Sequence, residues 1–141
     1  MIRTAVIGVG YLGRFHAQKY AALPNSQLVG IADPTAAARE SVAAELGVPA
    51  HADYRELLGS VDAVSIVTPT ALHFEVAKAF LESGASVLVE KPMTVTIAEG
   101  EGLIEVAART GRVLQVGHLE RFNAAVLAVQ PTLTTDRKSV V

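Results

Sequence analysis

Three glycines near the start of the chain have a spacing that can bind a phosphate anion. Gly8, Gly10 and Gly13 form a G-x-G-x-x-G pattern directly after an apolar run. In this pattern the first glycine permits a tight turn, the second lets the backbone approach a pyrophosphate, and the third lets the next helix pack closely. The N–H groups of that helix, which we expect to begin with Tyr11 and Leu12, would point at the anion. The pattern predicts a dinucleotide site, and these five residues are its first candidates.

An acidic residue at the end of the second apolar run supports this prediction. Asp33 stands 20 residues after Gly13, where dinucleotide-binding folds place the acid that binds the adenosine ribose. A carboxylate can accept both ribose hydroxyls but repels a 2′-phosphate, so Asp33 favours NAD over NADP. The nearest cation is Arg39, which we expect to be a solvated surface residue. The alternative is a glycine turn that serves packing alone, and it leaves Asp33 unexplained.

Further polar residues follow three later apolar runs. Because the carboxyl ends of parallel strands meet at one edge, where open α/β sheets bind ligands, we expect these residues to lie together. Lys91 is the predicted catalytic residue, aimed at the nicotinamide and at the substrate hydroxyl. The predicted cofactor contacts at this edge are Thr68, Pro69, His73, Glu90 and Lys91, and the predicted substrate contacts are His118, Arg121 and Asn123.

Each of these later clusters has a simpler alternative. Thr70 could cap the next helix while His73 sits on that helix's surface. Lys91 could be a solvent-facing lysine in a turn. The polar residues 118–123 could belong to the exposed start of a helix. The grouping of all three clusters after apolar runs favours the functional interpretation.

The elements that must position these residues alternate between strand and helix. This alternation requires parallel pairing and right-handed crossovers, so it predicts a Rossmann-type, doubly wound parallel α/β sheet. The predicted strands cover 2–7, 27–32, 50–52, 62–67, 86–89 and 112–116, and the predicted helices cover 11–23, 34–46, 53–58, 71–82, 97–109 and 120–129.

Composition excludes several other classes of protein. Half of the residues are hydrophobic, 18% are charged and the net charge is −2, which gives no basic surface for nucleic acid. The chain has no cysteine, so disulfides and thiolate metal sites are excluded, and we predict no metal site. No apolar run approaches the ~18 residues of a membrane span. We therefore expect a cytoplasmic protein with a small-molecule substrate and neither a nucleic-acid nor a membrane partner.

Taken together, the motifs resemble the GFO/IDH/MocA oxidoreductases (glucose–fructose oxidoreductase, inositol dehydrogenase and rhizopine catabolism) over residues 2–131. The resemblance implies an NAD-dependent dehydrogenase that oxidises a secondary hydroxyl of a sugar, sugar nucleotide or cyclitol by hydride transfer to the nicotinamide. It also implies that Lys91 contacts the substrate and the nicotinamide ribose, and that the Lys91–Pro92 bond is cis. The resemblance rests on four motifs. They are the glycine turn with His16 after it, Asp33, the T-P-x-x-x-H run from Thr68 to His73, and Glu90-Lys91-Pro92.

One segment narrows the resemblance. The run G-H-L-E-R-F-N from Gly117 to Asn123 is similar to members that oxidise the 3-hydroxyl of UDP-N-acetylglucosamine. Ala124 departs from this subgroup, which usually has proline there. The resemblance therefore points to a sugar-nucleotide substrate.

The resemblance also implies a longer parent protein. Residues 1–118 are the predicted Rossmann domain, and 119–131 begin a connection to a C-terminal α+β substrate domain. That further domain would supply most of the sugar pocket, the general base and the interface of a homo-oligomer. We expect residues 132–141 to be a non-native or disordered tail, because Asp136 to Val141 resembles the translated end of a sequencing adapter; a natural disordered tail is the alternative.

Three other interpretations stay open from the sequence. The domain could be an NAD-sensing or binding module, although it has no basic surface for DNA. It could come from a different dehydrogenase family with a Rossmann half, against which the T-P-x-x-x-H and E-K-P motifs count. The 141-residue chain could also be catalytically inert by itself.

Overall fold

Six parallel strands form one sheet in the computed structural model, which describes residues 1–135 and only the backbone of 132–135. The sheet order is β3-β2-β1-β4-β5-β6, and each neighbouring pair is parallel. This order is that of two βαβαβ halves joined at β1 and β4, so the predicted Rossmann fold is confirmed. The strands are β1 (Ile2–Ile7), β2 (Ser26–Ala32), β3 (Ala50–His51), β4 (Ala63–Ile66), β5 (Ser86–Val89) and β6 (Leu114–Val116).

Helices and short 3-10 turns connect the strands. Glycine ends two of the helices in the left-handed conformation, Gly47 at φ 67° and Gly111 at φ 65°, as expected where a side chain would be strained. The helices are α1 (Tyr11–Ala22), α2 (Ala36–Leu46), α3 (His73–Glu82), α4 (Ile97–Thr110) and α5 (Ala124–Thr135), and the 3-10 turns are Tyr54–Leu57, Thr70–Leu72 and Leu119–Phe122.

The sheet is covered on both faces, so its strands bury successive side chains on opposite sides. On one face Ile7 of β1 packs in a cluster with Phe80 of α3 and Leu103 of α4. On the other face Val6 packs in a cluster with Ala17 of α1 and Val42 of α2. Burial on both faces explains why half of the residues are hydrophobic.

The prediction of one helix over 120–129 is wrong. The chain first forms the 3-10 turn Leu119–Phe122, and Asn123 is extended at φ −67° and ψ 128°. The Ala125 N–H donates to Asn123 Oδ1 at 2.9 Å, which gives α5 its own cap and separates it from the turn. Helix α5 continues through Thr135 and so covers the first part of the segment predicted as a tail; the rest of that segment lies outside the described residues.

The described residues also bear on two other classes of site. No helix within residues 1–135 is long and apolar enough to cross a bilayer. Over the same residues, no group of three or more His, Cys, Asp or Glu side chains is placed to hold a metal ion.

The glycine turn brings the start of α1 against the end of β1. Gly8 has φ +83°, and a Cβ there would lie 2.7 Å from the Val67 carbonyl oxygen. A Cβ on Gly13 would overlap the carbonyl oxygen of Gly8 itself, whereas a Cβ on Gly10 would have no described atom within 4 Å. The first and third glycines are therefore required for packing, and the second borders open space.

This difference predicts opposite effects of alanine at the two positions. Gly13→Ala should lower the free energy of unfolding by about 1–3 kcal/mol or more, because the added methyl group has no room. Gly10→Ala should change it by less than about 0.5 kcal/mol. Urea denaturation of both variants measures the effects, and equal destabilisation would contradict the assignment of the third glycine to close packing.

Candidate functional site

The parallel strands bring the predicted site residues to one edge of the sheet. Gly8 follows β1, Asp33 follows β2 and Thr68 lies just beyond β4. These three residues line one cavity of about 280 Å³, close to the lower end of the ~300–1,000 Å³ usual for ligand pockets. The cavity is the candidate site for the adenosine part of a dinucleotide.

Asp33 contributes both structure and charge to this cavity. Its Oδ2 accepts the N–H of Val9 at 2.9 Å, and its Oδ1 accepts the N–H of Thr35 at 2.8 Å. The carboxylate thus ties the glycine turn to the end of β2, which the sequence did not reveal. A carboxylate has about four lone-pair sites, so both oxygens retain capacity for ribose hydroxyls.

Two features of the edge fit a bound pyrophosphate and nucleoside. Thr68 lines the cavity. Its Oγ1 is buried without a hydrogen-bond partner among the described residues, and such an unpaired group costs free energy. Within the same residues, no side chain caps α1 at Gly10, so the amides of its first turn are available to an anion. Tyr11 and Leu12 begin this turn, and their side chains are exposed. The groups that would bind the anion are their backbone N–H groups.

A charged cluster that sequence analysis missed borders the same cavity. Arg55 pairs with Glu75 at 2.8 Å and with Asp53 at 3.2 Å, and the Tyr54 hydroxyl donates to Glu75 at 2.9 Å. Burial raises the pKa of the Tyr54 phenol, and the Glu75 carboxylate raises it further. In the sequence these residues look like an ordinary solvated helix, because only the fold brings α3 beside the 3-10 turn.

Arg39 does not behave as the solvated surface residue that we expected. Its guanidinium donates to the carbonyl oxygen of Pro34 at 3.0 Å and lies 3.4 Å from that of Asp33. The side chain folds back over the turn between β2 and α2 because those two carbonyl oxygens accept its N–H groups. A cation therefore stands near the end of β2, although it is engaged with the backbone.

His73 lies between two turns of the edge rather than on a helix surface. It is 1% exposed, with Nδ1 2.9 Å from the Pro92 carbonyl oxygen and Nε2 2.8 Å from that of Thr68. A neutral imidazole has one N–H and can donate to one of these oxygens at a time, whereas an imidazolium donates to both. The geometry assigns His73 to joining the turns that follow β4 and β5, with little surface left for a cofactor; Pro69, next to Thr68, is exposed.

The turn after β5 holds one buried and one exposed charge. Glu90 is 5% exposed, and its Oε2 accepts the backbone N–H of Lys91 at 3.1 Å. Lys91 itself is exposed at the edge. The peptide bond between Lys91 and Pro92 is cis, as the family resemblance implied. Glu90 thus supports the turn from inside, and Lys91 is the member that can reach a ligand.

His16 is a further residue at the site, and sequence analysis assigned it no role of its own. Its Nδ1 lies 2.7 Å from Ser65 Oγ on β4, and its Nε2 lies 3.4 Å from Glu90 Oε1. Burial lowers the pKa of His16, and the Glu90 carboxylate opposes that decrease. The i, i+4 spacing of His16 and Tyr20 on α1 and the lone serine in an apolar strand were the available signals.

The predicted substrate residues lie along β6 at the side of the sheet. His118 and Arg121 line a groove of about 430 Å³ together with Phe122, and all three side chains are exposed. Asn123 uses its Oδ1 to cap α5, and its Nδ2 donates to Glu120 at 2.8 Å. The structure thus places His118 and Arg121 in a second pocket, separate from the cavity at Asp33.

The family model of the GFO/IDH/MocA oxidoreductases, described as an oxidoreductase family with an NAD-binding Rossmann fold, matches residues 2–118. The chain belongs to this family. Its sheet order and its glycine turn are those of an NAD(P)-binding Rossmann domain.

Individual relatives extend the comparison. UDP-N-acetylglucosamine 3-dehydrogenase of Acidithiobacillus ferrooxidans is 50% identical over 125 residues, which are 89% of this chain and 39% of that enzyme. Its solved structure superposes with a TM-score of 0.86, covering 93% of this chain and 43% of that one. The chain thus spans about two fifths of the length of this relative.

Two more distant structures hold different nicotinamide cofactors. Scyllo-inositol dehydrogenase of Lactobacillus casei, solved with NAD(H) and scyllo-inositol, has a TM-score of 0.88 at 26% identity and covers 96% of this chain and 41% of its own. Biliverdin reductase of Synechocystis, solved with biliverdin and NADP⁺, has a TM-score of 0.87 at 29% identity. The match covers 94% of this chain and 43% of the reductase. The choice of cofactor by this chain therefore rests on its own residues.

Proposed function

We propose that this domain binds NAD along the carboxyl edge of the sheet, and Asp33 is the observation that carries the proposal. Its carboxylate lines the cavity and is held in place by the amides of Val9 and Thr35. In this position it would accept the two ribose hydroxyls and repel a 2′-phosphate. Arg39, the nearby cation, donates to backbone carbonyls, so NAD is favoured over NADP.

The rest of the cofactor would follow the edge from Asp33 towards Lys91. The first-turn amides of α1 beside Gly10 would hold the pyrophosphate, and Thr68 would meet the nucleoside side of the cavity. When bound, NAD supplies a hydride acceptor at C4 of the nicotinamide. The residues of this chain would orient the cofactor and exclude water around it.

We propose that the whole protein is a dehydrogenase that oxidises a secondary hydroxyl of a sugar, sugar nucleotide or cyclitol. The support is the family membership and the names of its relatives, a UDP-N-acetylglucosamine dehydrogenase and an inositol dehydrogenase. The 50% identity to the first of these and the segment from Gly117 to Asn123 favour the 3-hydroxyl of UDP-N-acetylglucosamine. Lys91 would hold the reacting hydroxyl, and His118 and Arg121 would contact the substrate.

The rest of the catalytic set would come from the additional length of the parent protein. Exposed apolar side chains on the described part of α5, Val126, Leu127 and Val129 at 39–51% exposure, support a further domain packed there. We propose that this domain carries the general base and a homo-oligomer interface, and that the parent is cytoplasmic. The isolated domain should then bind cofactor without turnover.

The first prediction concerns cofactor choice in the full-length enzyme. Asp33→Ser removes the charge that repels a 2′-phosphate, and Arg39 can then exchange its contacts with the backbone carbonyl oxygens for a pair with the phosphate. The kcat/KM ratio for NADP over NAD should rise at least about tenfold, because like-charge contacts cost several kcal/mol.

Arg39→Gln in the Asp33→Ser background is the matched control. It should reverse part of the gain, since the phosphate then lacks the cation that lies against the turn after β2. A wild-type enzyme that already prefers NADP would contradict the assignment of Asp33 to the ribose.

The second prediction concerns Lys91 in the same enzyme. Lys91→Met keeps the length of the side chain but removes its charge and its donors, so kcat should fall by ~10²–10⁴ if Lys91 takes part in proton transfer. The NAD dissociation constant, measured by calorimetry, should change far less.

Lys91→Arg separates charge from proton transfer. It should not restore kcat, because a guanidinium does not release its proton at working pH. A Lys91→Met enzyme with more than about a tenth of the wild-type kcat would rule out a role in proton transfer.

A further inference from the structure

A line of buried and partly buried polar side chains runs from the Lys91 turn into the layer between α1 and the sheet. We call Glu90, His16, Ser65 and Tyr20 the Glu90 cluster. Ser65 is fully buried on β4, its Oγ lies 2.7 Å from His16 Nδ1, and it opposes the increase that burial causes in the pKa of the Tyr20 phenol. The cluster links the edge of the sheet to the middle of α1.

The Glu90 carboxylate is enclosed and incompletely paired. Gly117 closes one side, where an added Cβ would lie 2.7 Å from Oε1. Oε1 has no hydrogen-bond partner among the described residues, and the nitrogen that faces it is His16 Nε2 at 3.4 Å. A buried carboxylate is an acceptor only and needs a donor, and His16 is placed to be that donor.

We propose that His16 is a positioning residue for Lys91: held by Ser65, its ring donates Nε2–H to Glu90, which in turn holds the Lys91 backbone N–H. This inference rests on the proposed dehydrogenase function and adds to it a residue that does not touch the cofactor. Glu90 Oε2 accepts the Lys91 N–H at 3.1 Å, so the orientation of the carboxylate sets the backbone from which Lys91 extends.

The protons of the cluster fit one arrangement. If Nε2–H donates to an ionised Glu90, then Nδ1 accepts the Ser65 hydroxyl proton, and the neutral ring satisfies both neighbours. Burial lowers the pKa of His16, which favours the neutral ring, and Glu90 is the charged residue that opposes this decrease. The other titratable groups at the cluster are Tyr20 on α1, whose pKa burial raises, and the exposed Lys91.

Two substitutions at His16 in the full-length enzyme separate its two contacts. The amide nitrogen of His16→Gln can take the place of Nε2 and reach Glu90, whereas the shorter amide of His16→Asn replaces only Nδ1 and reaches Ser65. A displaced Lys91 should cost kcat about tenfold to a hundredfold in His16→Asn. The glutamine variant should recover most of that loss, and both should keep the wild-type Kd for NAD.

His51→Gln is the matched control, because His51 forms another histidine–carboxylate pair, with Glu56 at 3.0 Å, away from Lys91. It should leave kcat and Kd unchanged. Equal kcat in His16→Asn, His16→Gln and the wild type, with only the melting temperature lowered, would overturn the proposal and leave His16 a purely structural residue.

A titration of the His16 ring tests the pair without reference to turnover. In the wild-type enzyme with ¹⁵N-labelled histidine, the ring shifts report the pKa of His16. Glu90→Gln removes the opposing negative charge, so this pKa should fall further below its ordinary value. An unchanged titration overturns the pair. Absence of NAD-dependent turnover in the wild type would instead refute the proposed function, and the titration would still decide on the pair.

Discussion

The close contact between α1 and the turn after β1 is the constraint on which the rest of the site depends. Gly13 packs so near the Gly8 carbonyl that no side chain fits between them. This contact fixes the start of α1 at the edge of the sheet, where its amides can face an anion. One turn later, the same helix places His16 over β4. The proposed phosphate site and the proposed support of the Lys91 turn by His16 thus depend on a single packing contact.

Polar side chains, two of them buried, hold the turns of the edge to one another. Asp33 joins the turn after β1 to the end of β2, and His73 joins the turns after β4 and β5. Glu90 then holds Lys91 from within. Breaking these hydrogen bonds would cost free energy. The backbone that would face the cofactor is therefore preorganised before any ligand binds.

The sequence predicted the doubly wound parallel sheet and the edge because alternating apolar runs and the glycine spacing are local signals. It could not predict partners that the fold alone brings together. His73 sits three residues after Thr70, yet its partner Pro92 belongs to another strand's turn. Likewise, Arg55 of the 3-10 turn after β3 pairs with Glu75 of α3, which only the fold brings close to it. The break at Asn123 was missed although asparagine is a preferred N-cap residue, and the Ala125 hydrogen bond shows that it caps α5.

The most direct measurement is a crystal structure of the full-length enzyme with NAD. We expect the adenosine in the cavity beside Leu72, both ribose hydroxyls on the Asp33 carboxylate and the pyrophosphate on the first-turn amides of α1 next to Gly10. An adenosine bound elsewhere, with Asp33 contacting only Val9 and Thr35 as in the domain described here, would contradict the assignment of this edge as the cofactor site.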